Sequence, residues 1–198
     1  MRFAVLPALM LGLLSISTTA TAATVNYDVV GVAGFGLLPG NERPNPAASP
    51  GSGGEIGATG IQFDDVAKTL LINVGWGSQQ GFTDLSGPIT AGHIHSAGTG
   101  GGINGAGGVL INIGSGGGIL DNSASNGIVN FTTRAFTPAE ETLLANGDLY
   151  LNFHSASFGG GEIRGNLVVS AVPEPGTLAA MSLIATAVFV RYRRKRNA

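Results

Sequence analysis

The chain has 198 residues, 33 of them glycine and none cysteine, and only 11% are charged. Lack of cysteine excludes disulfides and any Cys-based zinc or redox centre, and glycines clustered in patches, not at every third position, exclude collagen. The formal net charge is −2, but residues 24–171 carry eleven acids against four bases, a net −7, without the clustered Lys and Arg that nucleic-acid phosphates require.

The first element is a targeting segment. Met1-Arg2 is a minimal basic start, residues 3–16 are apolar, and Ala20-Thr21-Ala22 has the small-x-small form that signal peptidase reads. Residues 1–23 are therefore expected to be a signal peptide, with the mature chain starting near Thr24. Residues 24–171 then have the size of one domain. Residues 24–32 alternate with β-branched residues and predict a strand, and residues 36–60, rich in Pro, Gly, Asn and Ser, predict a meandering loop. A strand begins at Ile61, turns at Asp64-Asp65 and is followed by a second over residues 68–76. Further short strands are expected at 91–96, 108–113 and 127–136.

One helix stands out. Thr137-Pro138-Ala139-Glu140 is a capping box with Pro at the first helical position, Leu143 and Leu144 supply an apolar patch, and Gly147 stops the turn. Two last strands follow, "DLYLNFHS" at 148–155 and "EIRGNLVVS" at 162–170. Seven or eight short strands at this spacing point to an all-β domain: an antiparallel β-sandwich of Ig-like or Greek-key type, or a partly open barrel, with one short helix.

The remaining residues, 172–198, differ in kind. An apolar run of 13 residues at 178–190 reaches only about 20 Å as a helix, short of a bilayer core of about 30 Å. Extended to about 177–192, with the basic residues at 191–196 snorkelling, it makes a marginal membrane span.

Two resemblances follow from these residues. "NERP" at 41–44, "AGHIHS" at 91–96, "FTPAEETLLANGDLYLNFHS" at 136–155 and "GGEIRGNL" at 160–167 resemble, in order, the signatures of the CHRD domain, the repeat first recognised in chordin. The chain departs from the family's pattern at Ser96-Ala97-Gly98 and at Gly159-Gly160. This resemblance implies a non-catalytic binding or structural module with a protein or polysaccharide partner, in which Glu162, Arg164 and Gly165 form a structural motif. The tail resembles the PEP-CTERM sorting signal of Gram-negative bacteria, with Pro173, Glu174 and Pro175 as the step read by a membrane-embedded exosortase. That implies an inner-membrane precursor and delivery to the cell envelope, surface or extracellular matrix. A permanent single-span anchor is the alternative reading.

All three histidines fall in the CHRD-like stretches. Residues two apart on a strand face the same way, so His93 and His95 share a face, and Tyr150, Asn152 and His154 lie opposite Leu149, Leu151 and Phe153. A hairpin across 155–161 would bring His154 near Glu162, making a polar patch of His93, His95, His154, Glu162 and Arg164. One reading of the patch is a metal site for Zn or Cu, because His93-x-His95 presents two nitrogens to one ion, with His154 needed as a third ligand; the chain is then a cell-surface metal-binding or redox module. The competing reading is a hydrogen-bonded network that fixes register and holds a Glu162–Arg164 pair.

Other chemistries fail on context. Residues 100–105 match Gly-x-Gly-x-x-Gly but precede a strand, which removes nucleotide binding. Ser96 and Ser155 adjoin histidines only in sequence, without a nucleophile elbow. The glycine runs lack the aspartates of calcium-binding repeats, and Asp64-Asp65 reads as a turn. No cofactor is expected beyond the optional Zn or Cu.

Overall fold

The computed structural model describes residues 23–45, 51–115 and 124–171; the predicted signal peptide at 1–23, except Ala23, and the predicted sorting tail at 172–198 with its expected apolar helix lie outside them. Among the described residues nine strands form: β1 (Thr24–Gly31), β2 (Gly34–Phe35), β3 (Gly54–Asp64), β4 (Thr69–Trp76), β5 (Ile89–Ser96), β6 (Val109–Ser115), β7 (Gly127–Thr132), β8 (Leu149–Ser155) and β9 (Ile163–Val169). The helix α1 covers Pro138–Ala145. Its capping box forms as expected: Glu140 N donates to Thr137 Oγ1 at 3.3 Å, and Thr137 N donates to Glu140 Oε2 at 2.8 Å.

The two-sheet sandwich does not form. The strands make one antiparallel sheet in the order β6-β5-β8-β9-β1-β3-β4-β7, with β2 on β1, rolled into a nearly closed barrel. β1 is the reason. It pairs with β9 on one side and β3 on the other, so Tyr27 stands between Val169 and Ile61 and joins what would otherwise be two sheets.

One apolar core fills the barrel. Leu149, Leu151 and Phe153 of β8 face inward at 0% exposure, as their parity requires, and meet Leu70, Ile72, Val74 and Trp76 of β4. Trp76 stacks on Phe153 with ring centroids 5.3 Å apart. Without disulfides, burial of this surface is what holds the domain, at roughly 25 cal/mol per Å² of apolar area.

Two predicted boundaries move. β3 begins at Gly54, inside the expected loop, and its first residues pair with the end of β4 as Gly54↔Trp76, Glu55↔Gly75 and Ile56↔Val74. The stretch "GEIGATG" has little β propensity, so long-range pairing decides its conformation. β7 stops at Thr132, because Leu70 N donates to the Thr133 side chain at 2.9 Å and regular pairing with β4 ends there.

Candidate functional site

All seven residues of β8 are buried, although alternation buries only one face by packing on the core. The outer face of β5, β8 and β9 is roofed by loops and carries polar side chains in register. His95, Tyr150 and Asn166 form one row across the three strands; His93, Asn152 and Arg164 form the next. His154 follows on β8, opposite Ala91.

The 97–108 loop forms one roof. The Asp148 carboxylate accepts from Gly100 N and Gly102 N, both at 2.8 Å. Asn166 donates to Gly102 O at 2.9 Å, and Arg164 Nη2 donates to Gly105 O at 2.6 Å. A Cβ on Gly101 or Gly105 would strike the Ala97 carbonyl, so the glycines let this loop lie flat against the end of β5. This is what the Gly-x-Gly-x-x-Gly stretch does in the fold.

The second roof is the NERP stretch. Asn41 donates to Gly36 O at 3.2 Å and Arg164 O at 3.0 Å, and accepts from Ala33 N at 2.7 Å, fastening the loop to β9. Glu42 is thereby buried near Arg164. Burial pushes its carboxyl up to about 7, against the opposing pull of the Arg164 charge. Arg164 is itself fully buried, its guanidinium 3.5 Å above the centre of the Tyr150 ring. A cleft of 290 Å³ opens where this loop meets the 156–161 turn, lined by Glu42, Arg43, Pro44, Phe158, Gly160 and Gly161.

The three histidines converge at the β5–β8 side of this layer. One ring nitrogen from each lies within 4.8 Å of the others; His95 and His154 are buried and His93 is half-buried. His95 Nδ1 lies 2.9 Å from Gly107 O, and His154 Nδ1 lies 2.9 Å from Gly159 O. A carbonyl only accepts, so both Nδ1 atoms carry the hydrogen and both Nε2 atoms keep a lone pair. His93 Nδ1 lies 3.0 Å from His154 Nε2 and donates to it.

Burial pushes all three rings below the usual imidazole range. For His93, repulsion from His154 and His95 adds to burial and brings it to about 4. The rings are therefore neutral near pH 7. His95 also stacks on Tyr150, with centroids 5.0 Å apart and planes 11° from parallel.

The expected patch needs correction at its other end. Glu162 does not reach His154, nor does it pair with Arg164. Its carboxylate accepts from Ser86 N at 2.8 Å, Ser86 Oγ at 3.0 Å and Ser155 Oγ. β9 starts only at Ile163, so the residue before it is not bound by strand alternation and turns toward the 85–88 loop instead. Arg164 and Gly165 obey the alternation: Arg164 enters the polar layer, and Gly165 faces Val29, where a Cβ would strike Val29 Cγ1. Sequence reasoning missed Asn41, Glu42 and Asn166. Asn166 was within reach, being the next polar residue in step with Arg164; Asn41 and Glu42 join from more than 100 residues away.

The CHRD domain family matches residues 34–167, a span that holds both roofs, the polar rows and the histidine cluster. The chain belongs to the CHRD family. Neither a curated protein nor a solved structure matches it. The NERP, His-x-His and Gly-Glu-Ile-Arg-Gly signatures of this CHRD domain meet on one face: the first supplies a roof, the second two imidazoles, and the third Arg164 beneath them.

Proposed function

We propose that the chain is an exported, non-catalytic CHRD binding module delivered to the cell envelope or extracellular matrix. The observation that carries the binding role is the cleft at the seam between the NERP loop and the 156–161 turn, open to solvent and set on loops that a rigid sheet holds in place, where recognition residues are usually carried. Residues 1–23 supply the signal peptide. Pro173-Glu174-Pro175, the apolar run and the basic residues at 191–196 supply the sorting tail, where Lys and Arg on the cytoplasmic side halt transfer and hold Pro-Glu-Pro outside. Signal peptidase and an exosortase are the processing partners, and an extracellular polysaccharide or protein is the ligand at the surface.

Expression in an exosortase-bearing host, followed by fractionation and intact-mass measurement, tests this reading. The expected product lacks both terminal segments and sits in the outer envelope or matrix, whereas Glu174→Ala remains in the inner membrane with the mass of the chain that still carries residues 172–198. Equal mature masses for wild type and variant point to a plain anchor, and cytoplasmic retention of the wild type overturns export.

A further inference from the structure

We propose that His93, His95 and His154 form a three-nitrogen site for a divalent transition metal, with copper(II) preferred over zinc. This names a ligand for the binding module, but it stands on side chains and not on the export route, so the two readings fail separately.

The geometry is that of a ligand set held from behind. His95 and His154 each give Nδ1–H to a main-chain carbonyl, Gly107 O and Gly159 O, which leaves Nε2 of each as the ligating atom, and the ion takes the place of the Nδ1–H of His93 on His154 Nε2. The hydrogen bond to the carbonyl fixes tautomer and ring orientation, which is how metal-ligating histidines are supported. The two carbonyls belong to the two glycine-rich segments beside β5 and β8, so the His95 ring is pinned to the 97–108 roof and the His154 ring to the 156–161 turn. His95 Nε2 is buried and has no hydrogen-bond partner. A purely structural histidine at such a position is expected to use that atom, whereas an ion in reach of all three nitrogens would use it at once.

The donor set selects the ion. Among the described residues the group holds three imidazoles and no carboxylate. Calcium, magnesium and manganese favour oxygen ligands, while imidazole suits copper, zinc and nickel. The chain has no cysteine, so a thiolate cannot contribute. For a given nitrogen site, affinity among divalent first-row ions peaks at copper. The positive Arg164 near His95 is separated from it by the Tyr150 ring and lies near Glu42, whose carboxyl, raised to about 7, offsets part of its charge.

The chain contains only these three histidines, so any imidazole signal from the whole protein reports on this cluster. The test is titration of the purified, chelator-stripped full-length chain with Cu(II) and with Zn(II), read by calorimetry and electron paramagnetic resonance. The expected result is one copper per chain with nitrogen hyperfine structure, retained against equimolar zinc. His95→Ala and His154→Ala should each weaken binding by more than the ~10–100-fold that loss of an outer-shell partner costs. If those variants fail to fold, wild-type hyperfine structure and the half-buried His93→Gln variant carry the same test. Zinc displacing copper overturns the copper assignment. No stoichiometric binding of either ion, or copper without nitrogen hyperfine structure, overturns the site.

Discussion

At Gly165 the lack of a side chain is a packing requirement. Arg164 and Gly165 sit on opposite faces of β9, one buried in the polar layer and the other against Val29 of β1. Gly165→Ala would place a methyl on Val29 Cγ1 and close to the Gly36 carbonyl, so the β9–β1 pairing must give way. Overpacking of this kind costs about 1–3 kcal/mol, and a urea melt of the variant should show a loss in that range. An unchanged midpoint would mean β1 yields freely there. The partial legibility of this motif has a simple cause. Alternation along a strand is local, so the split between Arg164 and Gly165 follows from the sequence. Glu162 lies just outside the strand, and its serine partners on the 85–88 loop and at the end of β8 belong to other segments.

Elements whose signals are local were legible, and α1 is the clearest. Thr137 and Glu140 cap it reciprocally, while Arg134 Nη1 and Nη2 hold the Glu140 carboxylate at 2.8 and 2.6 Å. Hydrogen bonds from Arg134 act first, and those from Thr137 with them, to bring Glu140 down to about 2. A carboxyl depressed in the folded state stabilises it above the ordinary carboxylate pKa and loses that contribution as pH falls through the folded value. Wild type should therefore exceed Glu140→Gln in stability by about 1–2 kcal/mol at pH 6, in line with charged hydrogen bonds of a partly solvated group. The gap should close between about pH 4.5 and pH 2. A gap that persists at pH 2 would show that the charge is not its source. By contrast, the start of β3 was not legible, because its glycines encode no strand and only the partner β4 makes one.

At the scale of the whole molecule, antiparallel pairing followed from the short β segments, but the count fell short, seven or eight against the nine strands of the described residues, and a partly open barrel stood only as the alternative to the two-sheet sandwich. Closure depends on β1 meeting β9 from the far end of the chain, a contact that no local pattern announces. The roofs over the polar face are long-range in the same way: Asn41 and Arg164 are 123 residues apart. Convergence of the histidines lay between these cases. The two-residue period put each ring on the correct face, and antiparallel pairing of β5 with β8 brought the three together.

The central claim is that this face holds three neutral imidazoles, with His93 Nδ1–H donating to His154 Nε2 and the Nε2 of His95 buried without a partner. Long-range proton–nitrogen correlation spectra of the metal-free protein at pH 6 test it directly, since three histidines give three ring patterns. An ordinary imidazole with a pKa of about 6.5 is mostly cationic at that pH. Burial that lowers all three rings predicts a smaller cationic fraction for each than an ordinary imidazole shows, with His93, brought to about 4, neutral, and with the hydrogen on Nδ1 in the neutral forms of His95 and His154. A mostly cationic His93 at pH 6, or the hydrogen on Nε2 of His95, would contradict the account.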